Sequence, residues 1–200
     1  MSDSSGDRCS LTAHHGTNKE AKAEILASQH FYESSTDSEW AGTGVYFFID
    51  YTSSNVSKNN AIRWATNIKK IPSREVAIIE ANIECDNDEI FNVRLDEAKS
   101  IFHRYRAETL RIVSNKLDSY NAKLPPGAPK KKLDSTFSNT KKFDCYVFNE
   151  LCKKFSIKAV IRDAYINFDF SKYSFHAIGS DIPNCIILCV KDESIIKGLK

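Results

Sequence analysis

Two short stretches of the sequence combine residue types that could bind a flat, polar ligand. The first is His15-Gly16-Thr17, and the second is Gly42-Thr43-Gly44-Val45-Tyr46. In each stretch, glycine stands near a polar or aromatic side chain at the end of an apolar segment. Because glycine has no side chain, such a segment can offer exposed backbone groups and one neighbouring side chain to a ligand. We therefore expect the His15 imidazole and the Tyr46 phenol to lie at opposite ends of a single groove.

The first stretch is predicted to join a strand to a helix. Residues 11–14 have the pattern of a short strand, and Thr17 and Glu20 have the spacing of a capping box. This spacing predicts Thr17 as the N-cap of the following helix. His15 and Gly16 would then lie where free amides and the helix dipole favour a negatively charged ligand.

The remaining elements predict an α+β domain. Strands and helices do not alternate regularly, so a doubly wound sheet is disfavoured. We expect a disordered N-terminus over residues 1–8 and a single domain over 9–200, with a basic loop or insert around 121–142. Further strands are predicted at 45–49, 76–83, 159–161 and 185–190, with another strand or hairpin around Phe168, Phe170 and Phe175. Helices are predicted from Ser54 or Ser57 to Ile68, over 95–117 and over 143–155.

The composition is that of an ordinary globular protein, with 42% hydrophobic residues, 27% charged residues and a net charge of +2. This net charge does not by itself indicate a nucleic-acid partner. The lysines are nevertheless clustered, at Lys130–Lys132, Lys141–Lys142 and Lys153–Lys154. The clusters are interpreted either as a solvated surface or as a local basic face that could contact phosphates.

Neither a metal site nor a membrane segment is expected. The six cysteines form no CxxC pair and have no matching histidine spacing for zinc. His14 and His15 would point to opposite faces of a strand, which disfavours a metal pair. The sequence has no apolar run long enough to cross a membrane and no secretory h-region at its start. A reducing, cytoplasmic location is the expectation that follows.

The order of the two stretches resembles the diphtheria-toxin-like and poly(ADP-ribose) polymerase-like ADP-ribosyltransferases. Those enzymes have a His-Gly-Ser/Thr step, then a Gly-x-Gly-Ile/Val-Tyr-Phe strand, and often Val-Ser-Lys shortly after. Here the corresponding residues are His15-Gly16-Thr17, Gly42–Phe47 and Val56-Ser57-Lys58. The resemblance is clear over residues 11–66 and suggestive again over 158–195. It implies a split antiparallel β-sheet core with flanking helices, and NAD as the co-substrate.

The resemblance also implies roles for individual residues. His15 would hydrogen-bond the adenosine ribose, the Gly16 backbone would pair with the nicotinamide carboxamide, and Tyr46 would stack on the nicotinamide ring. The other residues implied at the cofactor site are Thr17, Gly44, Ser57, Asn60 and Trp64. Because cleavage of the nicotinamide–ribose bond develops an oxocarbenium-like sugar, such a site needs a well-oriented ribose more than a strong nucleophile.

One element of the resemblance is absent. The family usually carries a glutamate on a late strand, and the expected point here is Asn184 or Cys185. Polymer elongation is therefore disfavoured, and an acid could come from Asp181, which is ranked first, or from Glu39 or Asp163. Cys185 is a further catalytic candidate, as a nucleophile with His176, but its apolar neighbours would raise its pKa and disfavour that role.

The sequence therefore predicts an NAD-dependent mono-ADP-ribosyltransferase of the toxin or effector type. Its acceptor would be a macromolecule, either protein or nucleic acid, and its candidate regulatory partner is an inhibitory antitoxin or immunity protein. Two alternatives stay open. One is a catalytically inactive module that binds NAD or ADP-ribose. The other is a nucleic-acid-binding interaction protein in which the glycines are only structural.

Overall fold

The computed structural model describes residues 7–50, 55–168 and 182–200, and these residues form an α+β fold. Over these ranges, seven strands make one hydrogen-bonded sheet in the order β4-β5-β6-β2-β1-β3-β7. The strands are β1 Arg8–Asn18, β2 Val45–Ile49, β3 Val76–Asp86, β4 Ile90–Asn92, β5 Ala159–Ala164, β6 Cys185–Val190 and β7 Ile196–Leu199.

The sheet is mixed rather than purely antiparallel. β4 pairs with β5 in parallel, from Ile90–Ala159 to Asn92–Ile161. The other neighbouring pairs are antiparallel. The expectation of an antiparallel core is thus wrong at one edge, because β4 is followed by a long helical connection that returns the chain in the same direction.

Five α-helices flank the sheet in the described part of the chain. They are α1 Lys19–Ser28, α2 Val56–Arg63, α3 Asp96–Asn121, α4 Leu133–Thr136 and α5 Thr140–Phe155. A π-helical turn, Trp64–Ile68, follows α2 directly. None of the helices in these ranges combines the length and the apolar character that crossing a membrane requires.

Both faces of the sheet are covered. On one face, Ile25 of α1 and Phe31 pack against inward-facing strand residues such as Phe47 and Leu188. On the other face lie α2, α3 and α5, with buried contributions from residues such as Ala61 and Phe148. β6 is buried along its whole length. This explains its continuously apolar sequence, which predicted its bounds correctly.

The start of α1 differs from the prediction. Thr17 is not the N-cap, since it lies within β1 and pairs with Ala77 of β3. The cap is Asn18, whose side-chain oxygen accepts a hydrogen bond from the Ala21 amide at 2.7 Å. The pairing of β1 with β3 extends through Asn18–Val76 and keeps the chain extended for longer than its short apolar segment indicates.

Several other predicted elements need adjustment. Arg8, predicted to be disordered, begins β1, whereas residues 1–6 lie outside the described residues, as do Phe170 and Phe175. The N-cap of α2 is Asn55, so Ser57 lies inside the helix. The short strands β4 and β7 were not predicted. Residues 121–142 contain turns, the single-turn helix α4 and the beginning of α5.

Candidate functional site

β1 and β2 separate part-way along their length, and the candidate site lies at this fork. Their pairing runs through Ala13–Ile49 and His14–Phe48. Beyond His14, towards Asn18 and Val45, the two strands are no longer paired. The bridge across the fork is instead made by a side chain, since His15 Nδ1 lies 2.8 Å from the Tyr46 carbonyl oxygen. Backbone that would otherwise be used in the sheet therefore borders an open space.

That space is a cavity of about 640 Å³, a size typical of pockets for small molecules and cofactors. Its walls combine backbone and side chains of β1 and β2 with the Glu33–Trp40 region and the turn after α2. The lining includes residues of both sequence stretches together with nearby polar and aromatic side chains, namely His15, Gly16, Thr17, Tyr32, Glu39, Trp40, Gly44, Tyr46, Trp64 and Lys69. The His15 and Tyr46 stretches, far apart in the sequence, thus meet at one cavity.

The hydrogen bond of His15 defines its tautomer. A carbonyl oxygen can only accept, so His15 Nδ1 carries the proton and donates to Tyr46 O. Burial lowers the pKa of His15, against a smaller raising effect of that hydrogen bond and with a further lowering by Lys69. The imidazole is therefore neutral near pH 7, and Nε2 is an acceptor. Edge contacts with Phe31 and Phe47, with ring centroids at 5.4 and 5.7 Å, hold the ring.

Tyr46 is held by the turn that precedes it. Its hydroxyl donates to the Gly42 carbonyl at 2.6 Å and accepts from the Ala41 amide at 2.8 Å. Burial raises the pKa of Tyr46 well above its usual value, so the phenol stays protonated. With both capacities of the hydroxyl used locally, Tyr46 contributes its ring to the cavity rather than an acid or a base.

The indole of Trp64 extends the aromatic wall. Its ring meets Trp40 and Phe48 edge-on, with centroids 6.2 and 6.4 Å apart. Trp64 begins the π-helical turn, in which the Lys69 amide donates to the Trp64 carbonyl at 2.9 Å. This wide turn leaves the Lys69 ammonium 5.9 Å from the indole centroid, so the cavity gains a cation beside its aromatic wall.

His14 and Ser57 belong to a buried network away from the cavity. Ser57 Oγ donates to Asp50 Oδ2 at 2.9 Å, so the 2.8 Å contact between His14 Nδ1 and Ser57 Oγ is a bond donated by the imidazole. The Ser57 amide donates to the other Asp50 oxygen at 2.7 Å. Ser57, predicted to bind the cofactor, is fully buried and outside the described cavity lining. Its network attaches α2 to β1.

Asn60 was also implied at the cofactor site. It is also buried and outside the described lining of the cavity. Its Nδ2 has no hydrogen-bond partner within the described part of the chain. A buried amide donor without a partner is energetically costly, so Asn60 keeps an unused hydrogen-bonding capacity on the buried face of α2.

Packing alone accounts for the glycines of the two stretches. A Cβ on Gly16 would lie 2.0 Å from the Ala61 carbonyl oxygen, and one on Gly44 would lie 2.4 Å from the Val190 carbonyl oxygen. Gly42, with a φ of +82°, would meet Asn149 in the same way. These glycines therefore permit close approach of α2, β6 and α5, and their presence is not independent support for a ligand.

Of the three acids considered from the sequence, Glu39 lies at the cavity. Asp163 is outside the described lining and pairs with Arg94 at 3.1 Å. Asp181 lies outside the described residues. Glu39 is half-buried and accepts hydrogen bonds from the Ser34 hydroxyl and, at 2.7 Å, from the Thr36 hydroxyl. The ranking of Asp181 above Glu39 therefore has no support in the described structure.

Neither residue at the expected position of the late glutamate is placed to do its chemistry. Asn184 uses its side-chain amide on the backbone of Ile166, accepting at 3.0 Å and donating at 2.9 Å. Cys185 is buried, its thiol donates to the Ala164 carbonyl at 3.3 Å, and burial raises its pKa to about 12. Cys185 also lies outside the described cavity lining, which speaks against a nucleophilic role.

Two features of the site could not be read directly from the motifs. Lys69 and Tyr32 line the cavity but belong to segments with no recognisable pattern. In the sequence, Lys69 belongs to the basic pair Lys69-Lys70, which stands shortly before Pro72 at the end of a predicted helix. This pair is the sequence signal from which Lys69 could have been found. The described residues contain no cluster of three or more histidine, cysteine or acidic side chains that could hold a metal ion.

Comparisons with known proteins define no family. No protein-family model matches the chain, and no solved structure matches it. An uncharacterized protein of Methanocaldococcus jannaschii is 28% identical over 95 residues, which is 46% of this chain. The match spans 41% of that protein, so the chain covers less than half of its length.

Proposed function

We propose that this protein is an NAD-dependent mono-ADP-ribosyltransferase that transfers one ADP-ribose unit to a macromolecular acceptor, on an ADP-ribosyltransferase-like fold. The observation that carries the proposal is the fork between β1 and β2. It brings His15, Gly16 and Tyr46 to a single cavity of about 640 Å³, in the order of the resemblance described above. The resemblance implies a split sheet, and the fork is where β1 and β2 of this sheet separate.

The cavity has groups suited to a ribose, the nicotinamide ring and the diphosphate of NAD. His15 Nε2 can accept a hydrogen bond from a ribose hydroxyl, because its Nδ1 proton is held by Tyr46 O. Tyr46 and Trp64 offer aromatic faces for the nicotinamide ring. Lys69 supplies positive charge for the diphosphate. The chain thereby provides an acceptor, a stacking surface and a cation within one cavity.

These residues favour cleavage at the nicotinamide–ribose bond through positioning. Nicotinamide leaves with the bonding electron pair and becomes neutral, while the ribose carbon gains positive charge. Tyr46 cannot act as a base at neutral pH, because burial raises its pKa far above the usual value. The neutral His15, which would bind the adenosine ribose, fixes the position of NAD without adding charge. The role of this wall is therefore to hold the leaving group and the ribose in the reactive geometry.

The proposal is tested by incubating the protein with NAD labelled in its adenosine part, together with cell extract. Nicotinamide release and label on protein or nucleic acid are the expected products. His15→Ala is expected to lower product formation strongly, whereas His103→Ala, on the far helix α3, serves as the matched control. Absence of both NAD binding and turnover by the wild-type protein would refute the proposal.

A second candidate function is a module that binds NAD or ADP-ribose without catalysis. It is favoured by Asn184, whose amide is committed to the Ile166 backbone at a position where the related enzymes usually have a glutamate. Saturable binding of labelled NAD by the wild-type protein, with neither nicotinamide release nor labelled product, would select this module over the enzyme.

A further inference from the structure

We infer that Glu39 is the catalytic residue that takes the proton of the acceptor nucleophile, and that a second, smaller cavity beside it receives the acceptor group. This inference rests on the proposed function. The smaller cavity measures about 230 Å³. Glu39 and Trp40 line both it and the cavity at the fork, so these two residues form a shared wall.

A shared wall is where transfer chemistry requires a base. The donor and the acceptor must meet at one carbon, and the group that receives the acceptor proton must reach the acceptor atom from that junction. Asp144 is the other carboxylate of the smaller cavity, but it is paired with Arg106 at 2.6 Å and is outside the described lining of the larger one. Glu39 is therefore the carboxylate that faces both.

The Glu39 carboxylate is also held in place. The Ser34 and Thr36 hydroxyls both donate to its Oε1. This arrangement fixes one oxygen and leaves Oε2 to accept a proton. No ion pair joins Glu39 to a lysine or arginine within the ranges that the structure describes, in contrast to Asp144. An oriented carboxylate that is not neutralised by a cation is suited to act as a general base.

The residues around the smaller cavity set the chemical class of the acceptor. Arg162 Nη1 donates to the Trp40 carbonyl at 2.6 Å and fixes the shared wall from behind. Tyr165 and Trp40 add aromatic surface, and Lys141 lies at the N-terminal turn of α5. A cavity of this size accepts one small group beside the Glu39 carboxyl group. Because Glu39 takes a proton in this step, the acceptor atom is a hydroxyl oxygen or an N–H nitrogen.

The transfer step balances in atoms and charge with the acceptor, NAD, Glu39 and water. The acceptor oxygen or nitrogen forms a bond to the ribose carbon as the bond from that carbon to the nicotinamide nitrogen breaks. The electron pair of the broken bond neutralises the pyridinium, and nicotinamide leaves. The proton of the acceptor passes to Glu39 Oε2 and later to water. No oxidant, reductant or metal ion is needed.

The first test is Glu39→Gln, which keeps the size and hydrogen-bonding shape of the side chain and removes the base. We expect the turnover number for ADP-ribose transfer to fall at least tenfold. The NAD dissociation constant should stay within about threefold of the wild-type value, and the thermal midpoint should stay within about 2 °C. Glu24→Gln, on the exposed surface of α1, is the matched control and should match wild type.

The second test separates the two cavities. Lys141→Trp places a bulky side chain at the smaller cavity, and we expect the ratio of transfer to NAD hydrolysis in water to fall about tenfold. If the wild-type protein transfers ADP-ribose and Glu39→Gln transfers it at the same rate, this inference is overturned but the proposed function stays intact. Parallel losses of stability and NAD affinity in Glu39→Gln also overturn it, since they would indicate a purely structural Glu39. An inert wild-type protein overturns both proposals.

Discussion

The two edges of β1 behave differently. Along one edge, β1 pairs with β3 without interruption from Arg8–Asp86 to Asn18–Val76. Along the other edge, its described pairing with β2 consists of Ala13–Ile49 and His14–Phe48, and then the strands diverge. The same strand is thus a structural element on one side and the border of a cavity on the other. The cavity arises here because two strands stop pairing, not because a loop is added.

The adjacent histidines show the same contrast at the level of side chains. His14 is buried and donates to Ser57, so it attaches α2 to the sheet. His15 faces the other side, contacts Phe31 and Phe47, and bonds to the Tyr46 carbonyl across the fork. The alternation of a strand therefore assigns one imidazole to stability and the other to the cavity.

The largest effect is expected from Gly16→Ala, which forces α2 away from β1 at the fork. The new Cβ would meet the Ala61 carbonyl oxygen at 2.0 Å, and neither backbone can move freely. We expect the free energy of unfolding to fall by about 3 kcal/mol, as for a strongly overpacked core. Gly198→Ala has no atom within 4 Å of its Cβ and should cause little or no loss in the same urea titration.

Next in size is Tyr46→Ala, which removes one aromatic wall of the cavity. Loss of a stacking partner costs about 1–3 kcal/mol, so NAD affinity should fall roughly 5- to 150-fold in calorimetric titrations. Tyr46→Phe keeps the ring but loses the bonds to Gly42 and Ala41, and should retain most of the affinity. Equal losses in both variants would indicate that the hydroxyl, not the ring, is what the site requires.

Charge reversal at Lys69 tests whether the cavity binds an anion. Lys69→Glu should weaken NAD binding about tenfold, because a charge-assisted contact to the diphosphate would be replaced by repulsion. Lys70→Glu changes the net charge equally at a residue outside the described lining of the cavity. Binding that weakens to the same extent in both variants would point to a general electrostatic effect. Simultaneous reversal at residues 130–132 extends this control to the lysine cluster.

A smaller effect is expected from pH. Burial lowers the pKa of both His14 and His15 below their ordinary value of 6.5. As the pH falls below about 6.5, the unfolded chain binds protons that the folded chain does not, so the free energy of unfolding decreases. Denaturation at pH 7.5 and 5.5 should show this loss, and His14→Gln should reduce it. A pH dependence that is unchanged in His14→Gln and His15→Gln would contradict the assignment.

The sequence predicted the fold best where packing imposes a strong pattern. The uninterrupted apolar run Cys185–Val190 is a strand buried on both faces, and its bounds were correct. The cap at Thr17 was wrong, because pairing with β3 outweighs the local capping pattern and moves the cap to Asn18. β4 and β7 are too short to show a period, and their partners are distant in the chain.

For the site, the motifs led to His15 and Tyr46, which lie next to a recognisable turn or strand end, and the resemblance led to Trp64, which follows Val56-Ser57-Lys58. All three line one cavity. Ser57 was predicted as a ligand, but the helix rotation that buries it depends on contacts with Asp50 and His14. Lys69 was missed, because its position depends on a π-helical turn that the local sequence pattern does not predict.

That wide turn determines on which side of the helix Lys69 lies. Between Trp64 and Lys69 the helix carries one residue more per turn than an α-helix. If the same residues adopted regular α-geometry, the five steps of about 100° from Trp64 to Lys69 would place Lys69 about 140° around the helix axis from Trp64. The ammonium of Lys69 would then face away from the indole. The spacing between these two side chains, rather than either identity alone, keeps a cation beside an aromatic surface.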